Sequence, residues 1–203
     1  MKRLLLLLLV AALAGCGGDD GDGGGSEAQE SECVTQGSAQ LPELEEGKTY
    51  RLAFKTNQGD FTIELDREKA PCTSASFVSL TEKGFFNGLT FHRIVPGFVI
   101  QGGDPKGDGS GGPGYQTVDE PPQDARYTKG VVAMAKTISD PRGTSGSQFF
   151  IVTAEDAGLP PDYAVLGEVV EGLDVVEKIG KLGGPDERPT KEVVIESVQV
   201  QTS

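Results

Sequence analysis

Short apolar runs separated by glycine- and proline-containing turns constrain this chain more than any other feature of its sequence. Tyr50–Thr56 and 61–65 are two such runs, and the Asn57-Gln58-Gly59-Asp60 segment between them has the composition of a hairpin turn. Six further β-rich runs follow at 89–94, 98–102, 130–135, 149–153, 164–170 and 193–201. Eight short strands favour a closed antiparallel barrel, although strand propensity alone does not distinguish a barrel from a sandwich.

Two segments of the chain predict helices. Pro71 suits the first turn of a helix, Phe77 belongs to an apolar face, and Gly84 provides a C-terminal cap. Residues 173–179 predict a second helix, which ends at Gly180. The sequence therefore predicts a mainly β domain with two α-helices that cap its ends.

The first residues have the pattern of a targeting segment. Lys2 and Arg3 precede an apolar run over residues 4–13, which is too short to span a bilayer that needs about 20 apolar residues. The Leu13-Ala14-Gly15-Cys16 segment looks like a bacterial lipobox, which predicts a signal peptide over 1–15 and a lipidated Cys16. The alternative is an ordinary signal peptide in which Cys16 is incidental. With a lipid on Cys16, the protein is exported and attached to the outer face of the bacterial cytoplasmic membrane.

Residues 16–46 are rich in Gly, Asp, Glu, Ser and Gln and show no apolar periodicity. Such a segment cannot bury enough apolar surface to offset the entropy of ordering, so we expect a flexible acidic linker. Residues 47–203 have a length that suits one domain with a single core. The formal net charge of −13 disfavours binding to nucleic acid or to anionic lipid headgroups, so we expect membrane contact only through the lipid anchor.

The two other cysteines, Cys33 and Cys72, agree with export. Outside the cytosol they can form a disulfide, which would stabilise the fold by about 4 kcal/mol in the chain-entropy model. The alternative is two separate free thiols.

Two stretches combine strand-forming residues with polar groups that an ordinary core would exclude. They read FHRIVPGFVIQGGD over residues 91–104 and GSQFFIV over residues 146–152. Their polar members are Arg93, Gln101 and Gln148. A half-buried arginine is costly unless its donors are used, so the pattern indicates an apolar pocket with a guanidinium and amides directed into it.

Together these stretches resemble the signature of the cyclophilin family of peptidyl-prolyl cis-trans isomerases, and the similarity extends over residues 48–200. The resemblance implies a closed eight-stranded antiparallel β-barrel with a helix over each end. It also implies a monomeric folding catalyst that acts on X-Pro bonds of exported polypeptides and uses no cofactor or metal. The competing hypothesis is a cyclophilin-like module that binds proline-containing segments without turnover.

The chemistry of X-Pro rotation explains the residues that the resemblance selects. The barrier of about 18–20 kcal/mol comes from amide resonance, so a catalyst needs a donor to the prolyl nitrogen and an apolar slot for the ring. Arginine offers a permanently charged donor. The resemblance implies four catalytic residues, Arg93, Phe98, Gln101 and Phe150. It implies six substrate-binding residues, Val99, Ala135, Lys136, Gln148, Leu159 and Tyr163.

Several positions depart from the common family pattern. Gly158 stands where animal cyclophilins have a tryptophan that contributes to cyclosporin binding, so we expect weakened inhibition by cyclosporin. Tyr163 replaces a histidine, Lys136 an asparagine, and Val99 most often a methionine. His92 is the single histidine of the chain, and because it has no nucleophile beside it we expect a structural role.

Overall fold

The structure is a computed structural model that describes residues 33–203. The strands of this range are β1 (Val34–Gln36), β2 (Tyr50–Thr56), β3 (Gly59–Leu65), β4 (Arg93–Val95), β5 (Val99–Gly102), β6 (Gln116–Val118), β7 (Val131–Met134), β8 (Thr144–Ser145), β9 (Phe149–Val152), β10 (Val165–Glu171) and β11 (Ile195–Thr202). The helices are α1 (Pro71–Glu82) and α2 (Leu173–Gly180). The predicted signal peptide, Cys16 and the first half of the predicted linker lie outside the described residues.

Eight strands form one curled antiparallel sheet, called the main sheet below, in the order β11-β2-β3-β10-β7-β9-β5-β4. β2 and β3 form the hairpin that the sequence predicts, with Phe54 opposite Phe61. α1 packs against β11 and β6, whereas α2 packs against β3, β4 and β5. The prediction of a mainly β domain with two helices is therefore confirmed.

The prediction that the sheet closes into a barrel is wrong. The two edge strands, β11 and β4, form no ladder with each other. The segment before β4 contacts the chain around the start of β11 through an isolated bridge between Thr90 and Val194 and a few backbone hydrogen bonds beside it. The reason lies in the 183–190 loop, because the N–H of Ile94 donates a hydrogen bond of 2.7 Å to the carbonyl of Glu187. This loop occupies the edge of β4 that β11 would need, so the sheet remains an open half-barrel.

The core lies on the inner face of the main sheet and is built largely from aromatic rings. Phe54 and Phe61 stack with their ring centroids 4.8 Å apart, and Phe149 meets Phe77 edge-on at 5.9 Å. Residues 73–81 of α1 are all buried, so this helix is enclosed and does not present only one apolar face. The core thus fixes α1 and the inner face, which leaves the outer face of the sheet for other contacts.

A second, small sheet is formed by β1, β6 and β8. β1 lies within the range predicted as a flexible linker, and the structure joins Cys33 to Cys72 by a disulfide. Residues 34–36 are therefore a strand, since the disulfide beside them and the pairing with β6 supply contacts that offset the cost of ordering. Across residues 33–203, no helix has the length and apolar character needed to cross a membrane.

Candidate active site

A single cross-strand row carries the polar residues that the sequence singled out. Arg93 is the direct partner of Gln101, Gln101 is the partner of Phe150, and Phe150 is the partner of Ala133. Directly paired residues of antiparallel strands project to the same face, and neighbours along a strand project to opposite faces. The neighbouring row, formed by Ile94, Ile100, Ile151 and Val132, belongs to the core. Arg93 and its row therefore lie on the outer face.

A continuous chain of hydrogen bonds links the polar side chains of this row. Arg93 Nε donates to Glu187 Oε2 at 2.7 Å, and Arg93 Nη1 donates to Gln101 Oε1 at 3.3 Å. Gln101 Nε2 then donates to Gln148 Oε1 at 3.1 Å. Gln148 Nε2 donates to two carbonyls of the glycine-rich loop 107–114, each at 2.9 Å. Within residues 33–203, Arg93 Nη2 has no hydrogen-bond partner and so can donate to a bound peptide.

An apolar cluster, separate from the core, lies beside the row on the same face. Its buried members are Val99, Tyr127, Ala133, Phe150 and Val152, and its half-buried members include Phe98, Leu159 and Tyr163. The rings of Phe150 and Tyr163 pack edge to face, with their centroids 5.5 Å apart. Val99 and Phe150 are 2% and 5% exposed, so they form the floor of the cluster, whereas Phe98, Leu159 and Tyr163 form its rim.

The two residues predicted to pair with a peptide backbone adjoin this cluster. The N–H of Ala135 donates to the carbonyl of Gln148 at 2.9 Å, so its carbonyl is the group left for a peptide. The Lys136 ammonium donates to the carbonyls of Thr137 and Asp140 and lies 5.5 Å from the ring centroid of Tyr163. These contacts hold the lysine side chain against the loop 137–140. The side chain therefore does not block a peptide that pairs with the backbone of Ala135 and Lys136.

A groove with a volume of about 950 Å³ runs along the outer face. Gln101 and Gln148 line it at one side, together with Ala135 and Lys136, and the glycine-rich loop 107–114 lines it as well. The structure thus brings Gln101 and Gln148 to one concave surface, and Arg93 is joined to its edge by the hydrogen bond to Gln101.

Asp104, which follows β5, orders the glycine-rich loop. Its buried carboxylate accepts hydrogen bonds from the backbone N–H groups of Lys106, Asp108 and Gly109. A side chain at Gly111 would place its Cβ 2.0 Å from Asp104 Oδ1, so only glycine fits there. Asp104 therefore fixes the carbonyls that hold Gln148.

Two further residues of the site were missed from the sequence. Glu187, which binds Arg93, lies 94 positions further along the chain and has φ of 62°, a left-handed conformation that is uncommon for a residue other than glycine. Tyr127 Oη donates to the carbonyl of Tyr163 at 2.7 Å and accepts from its N–H at 3.0 Å, which fixes one wall of the apolar cluster. No local sequence pattern predicts either contact. The aromatic ring of Tyr127 is the only signal, since it suits a place in an apolar cluster.

His92 does not take part in this arrangement. Its burial lowers the pKa of the imidazole, an effect that the nearby Asp104 carboxylate opposes. Its Nδ1 is buried without a hydrogen-bond partner. In the described part of the chain, no group of three or more His, Cys, Asp or Glu residues is placed to hold a metal ion.

The chain is similar in sequence to known peptidyl-prolyl cis-trans isomerases. Residues 51–200 match the family model described as cyclophilin type peptidyl-prolyl cis-trans isomerase/CLD. The chain is 43% identical over 165 residues to a probable peptidyl-prolyl cis-trans isomerase B of Mycobacterium tuberculosis, covering 72% of this chain and 53% of the relative. The chain thus spans about half the length of that relative. It is 40% identical over 150 residues to a peptidyl-prolyl cis-trans isomerase-like 1 of Aspergillus oryzae, covering 71% of this chain and 91% of the relative.

Solved structures agree with this match. A cyclophilin type peptidyl-prolyl cis-trans isomerase of Cryptosporidium parvum superposes with a TM-score of 0.70 at 28% identity, covering 75% of this chain and 98% of the other. A second crystal structure of that protein, obtained in the presence of the dipeptide Ala-Pro, gives a TM-score of 0.69 at 29% identity over 74% and 98% of the two chains. Sequence and fold together place this chain in the cyclophilin-type peptidyl-prolyl cis-trans isomerase family.

Proposed function

We propose that this protein accelerates cis–trans isomerisation of X-Pro bonds in polypeptides. The observation that carries the proposal is the position of Arg93 in the same cross-strand row as Phe150 of the apolar cluster, with one guanidinium nitrogen left unpartnered among residues 33–203. Membership of the family and the relatives' names support the same activity.

The proposed mechanism needs neither a nucleophile nor a general base. Rotation removes the amide resonance, and the prolyl nitrogen of the twisted state gains a lone pair that can accept a hydrogen bond. Arg93 Nη2 donates to that nitrogen, while Phe98, Phe150 and Leu159 hold the pyrrolidine ring. Because the donor acts on charge that develops only during rotation, it lowers the barrier more than it strengthens ground-state binding.

Gln101 and Gln148 have a positioning role in this proposal. Gln101 fixes Nη1 of Arg93 through its carbonyl oxygen and is itself held by Gln148. Ala135 and Lys136 offer backbone groups to the extended peptide, and Val99 and Tyr163 complete the pocket. The half-exposed guanidinium is thereby fixed in orientation before the substrate arrives, which reduces the cost of forming the twisted state.

A protease-coupled assay on a short X-Pro peptide tests the activity. The wild type is expected to exceed the uncatalysed rate, and Arg93→Ala is expected to lose at least tenfold in kcat/KM. Arg51→Ala is a matched control, since Arg51 also forms an ion pair on the surface and its side chain is 42% exposed, against 37% for Arg93. Peptide binding without any acceleration by the wild type would instead identify a non-catalytic binding module.

We also propose that the protein acts outside the cytosol as a lipid-anchored, monomeric enzyme on the outer face of the bacterial cytoplasmic membrane. The lipobox-like segment before Cys16 and the Cys33–Cys72 disulfide, a bond typical of oxidising compartments, support this location. Exported proline-containing polypeptides are then its substrates. Mass spectrometry tests the anchor, because the mature wild-type protein should exceed the mass calculated for residues 16–203 by the mass of the lipid, and a mass equal to the calculated one would contradict it.

A further inference from the structure

Strand β1 faces the same groove as the candidate glutamines of the active site. Gln36 and the following Gly37 line this groove together with Gln101 and Gln148. The family match begins at residue 51, so β1 lies outside it. We propose that β1 is a substrate-binding wall that contacts the polypeptide flanking the X-Pro bond. This inference rests on the isomerase function proposed above and adds to it a preference for extended polypeptides over isolated X-Pro units.

The position of β1 is set by close packing against the glycine-rich side of the groove. Val34 pairs with Thr117 and Gln36 with Gln116 on β6. Gly37 has φ of 79°, and a Cβ there would lie 2.3 Å from the carbonyl oxygen of Gly114. Only glycine permits this approach, which brings the end of β1 against the loop that also binds Gln148.

Two attachments connect the small sheet to the first turn of α1. The disulfide joins Cys33, which directly precedes β1, to Cys72 in the first turn of the helix. Asp119, which directly follows β6, accepts hydrogen bonds of 2.6 Å from the N–H and the hydroxyl of Thr73. A three-residue edge strand has little stability of its own. The disulfide therefore adds to the pairing with β6 in holding β1 at the groove.

The exposed groups of the groove wall suit an extended polypeptide. Gln36 is exposed, and within residues 33–203 its side-chain amide makes no hydrogen bond. A primary amide can both donate to and accept from a peptide backbone, or pair with a polar side chain. The rest of the lining also carries polar side chains, among them those of Gln116, Ser110, Thr137 and Thr144. The wall therefore fits polar residues that flank the proline, beyond the reach of the apolar cluster.

The test compares two peptides that share one X-Pro core, one of four residues and one extended by three polar residues at each end. Dissociation constants come from isothermal titration calorimetry, and turnover comes from the coupled assay. Gln36→Ala is expected to weaken binding of the long peptide by about three- to tenfold, the effect of one hydrogen bond, and to leave the short peptide unchanged. Thr35→Ser is the matched control, since Thr35 lies on the same strand but does not line the groove, and serine keeps the hydroxyl that donates to the carbonyl of Gln116.

The double variant Cys33→Ser with Cys72→Ser tests the role of the disulfide. It is expected to show the same selective loss for the long peptide while it retains turnover of the short one. The inference is overturned if Gln36→Ala binds the long peptide as tightly as the wild type does. Failure of the isomerase function would look different, because the wild type would then not accelerate even the short peptide. If the double variant also loses short-peptide turnover, its fold is disturbed beyond β1. Binding of the long peptide by Gln36→Ala then determines whether β1 is a substrate-binding wall.

Discussion

Glu187 Oε2 accepts a hydrogen bond of 2.7 Å from Nε of Arg93, the side of the guanidinium that faces away from Gln101. The backbone carbonyl of Glu187 also accepts the N–H of Ile94, so the same residue closes the edge of β4 and holds the side chain that β4 presents. A left-handed conformation at Glu187 makes both contacts possible, at an energetic cost that a functional site can explain.

The first prediction concerns this ion pair. Glu187→Gln should lower kcat by about threefold with little change in KM, because an exposed ion pair contributes little energy but here orients the donor. Steady-state kinetics on a short X-Pro peptide measure both constants. Glu64→Gln is the control, since it breaks the comparable Arg51–Glu64 pair far from the groove and should leave both constants unchanged. A rise in KM with kcat unchanged would show that Glu187 serves binding and does not position Arg93.

The second prediction concerns the buried carboxylate that orders the glycine-rich loop. Asp104→Ala leaves three backbone N–H groups without their acceptor and should lower the free energy of unfolding by about 3 kcal/mol, as measured by urea denaturation. Asp108→Ala, an exposed carboxylate of the same loop, should lower it far less. Equal effects of the two substitutions would contradict the role assigned to Asp104.

The third prediction concerns the wall formed by Tyr127. Tyr127→Phe removes the hydroxyl that bonds both main-chain groups of Tyr163, so the rim of the apolar cluster should loosen. We expect KM for X-Pro peptides to rise by about threefold to tenfold while kcat changes less, since one or two hydrogen bonds are lost and Arg93 is untouched. An unchanged KM would show that this wall does not contribute to the pocket.

The fourth prediction concerns the pH dependence of stability. Burial lowers the pKa of His92 in the folded protein below its ordinary value near 6.5, so the unfolded chain binds the proton more readily. The stabilising contribution is complete above about pH 6.5 and is lost as the pH falls below this value toward the folded-state pKa. Urea denaturation at pH 7.5 and pH 5.5 should show this loss for the wild type. His92→Gln should show a smaller loss of stability between these two pH values, because the chain has no other histidine. A loss as large as that of the wild type would show that carboxylates, and not His92, cause the pH dependence.

The sequence predicted the parts of the fold that local patterns encode. Alternation defined the β2–β3 hairpin, and the start of α1 at Pro71 followed from the fixed geometry of proline. The cross-strand row of Arg93, Gln101 and Phe150 lies together on one face, as the anomalous polar residues indicated.

What the sequence did not predict depends on contacts between distant residues. The sequence offered a Cys33–Cys72 disulfide as one of two alternatives, but no local pattern indicated the pairing of Val34 with Thr117 that makes residues 34–36 a strand. The barrel stays open because the carbonyl of Glu187 takes the edge of β4, a contact over more than 90 residues of sequence. Strand counting cannot detect a loop that competes for a sheet edge.

The central claim is that Arg93 catalyses rotation and does not merely bind the peptide. Two-dimensional NMR exchange spectroscopy measures the cis–trans exchange rate of an X-Pro peptide directly, and titration in the same samples gives the affinity. We expect rapid exchange with wild type and Arg51→Ala, and at least tenfold slower catalysed exchange with Arg93→Ala at comparable peptide affinity. Exchange that is equally fast with Arg93→Ala, or absent with the wild type, would contradict it.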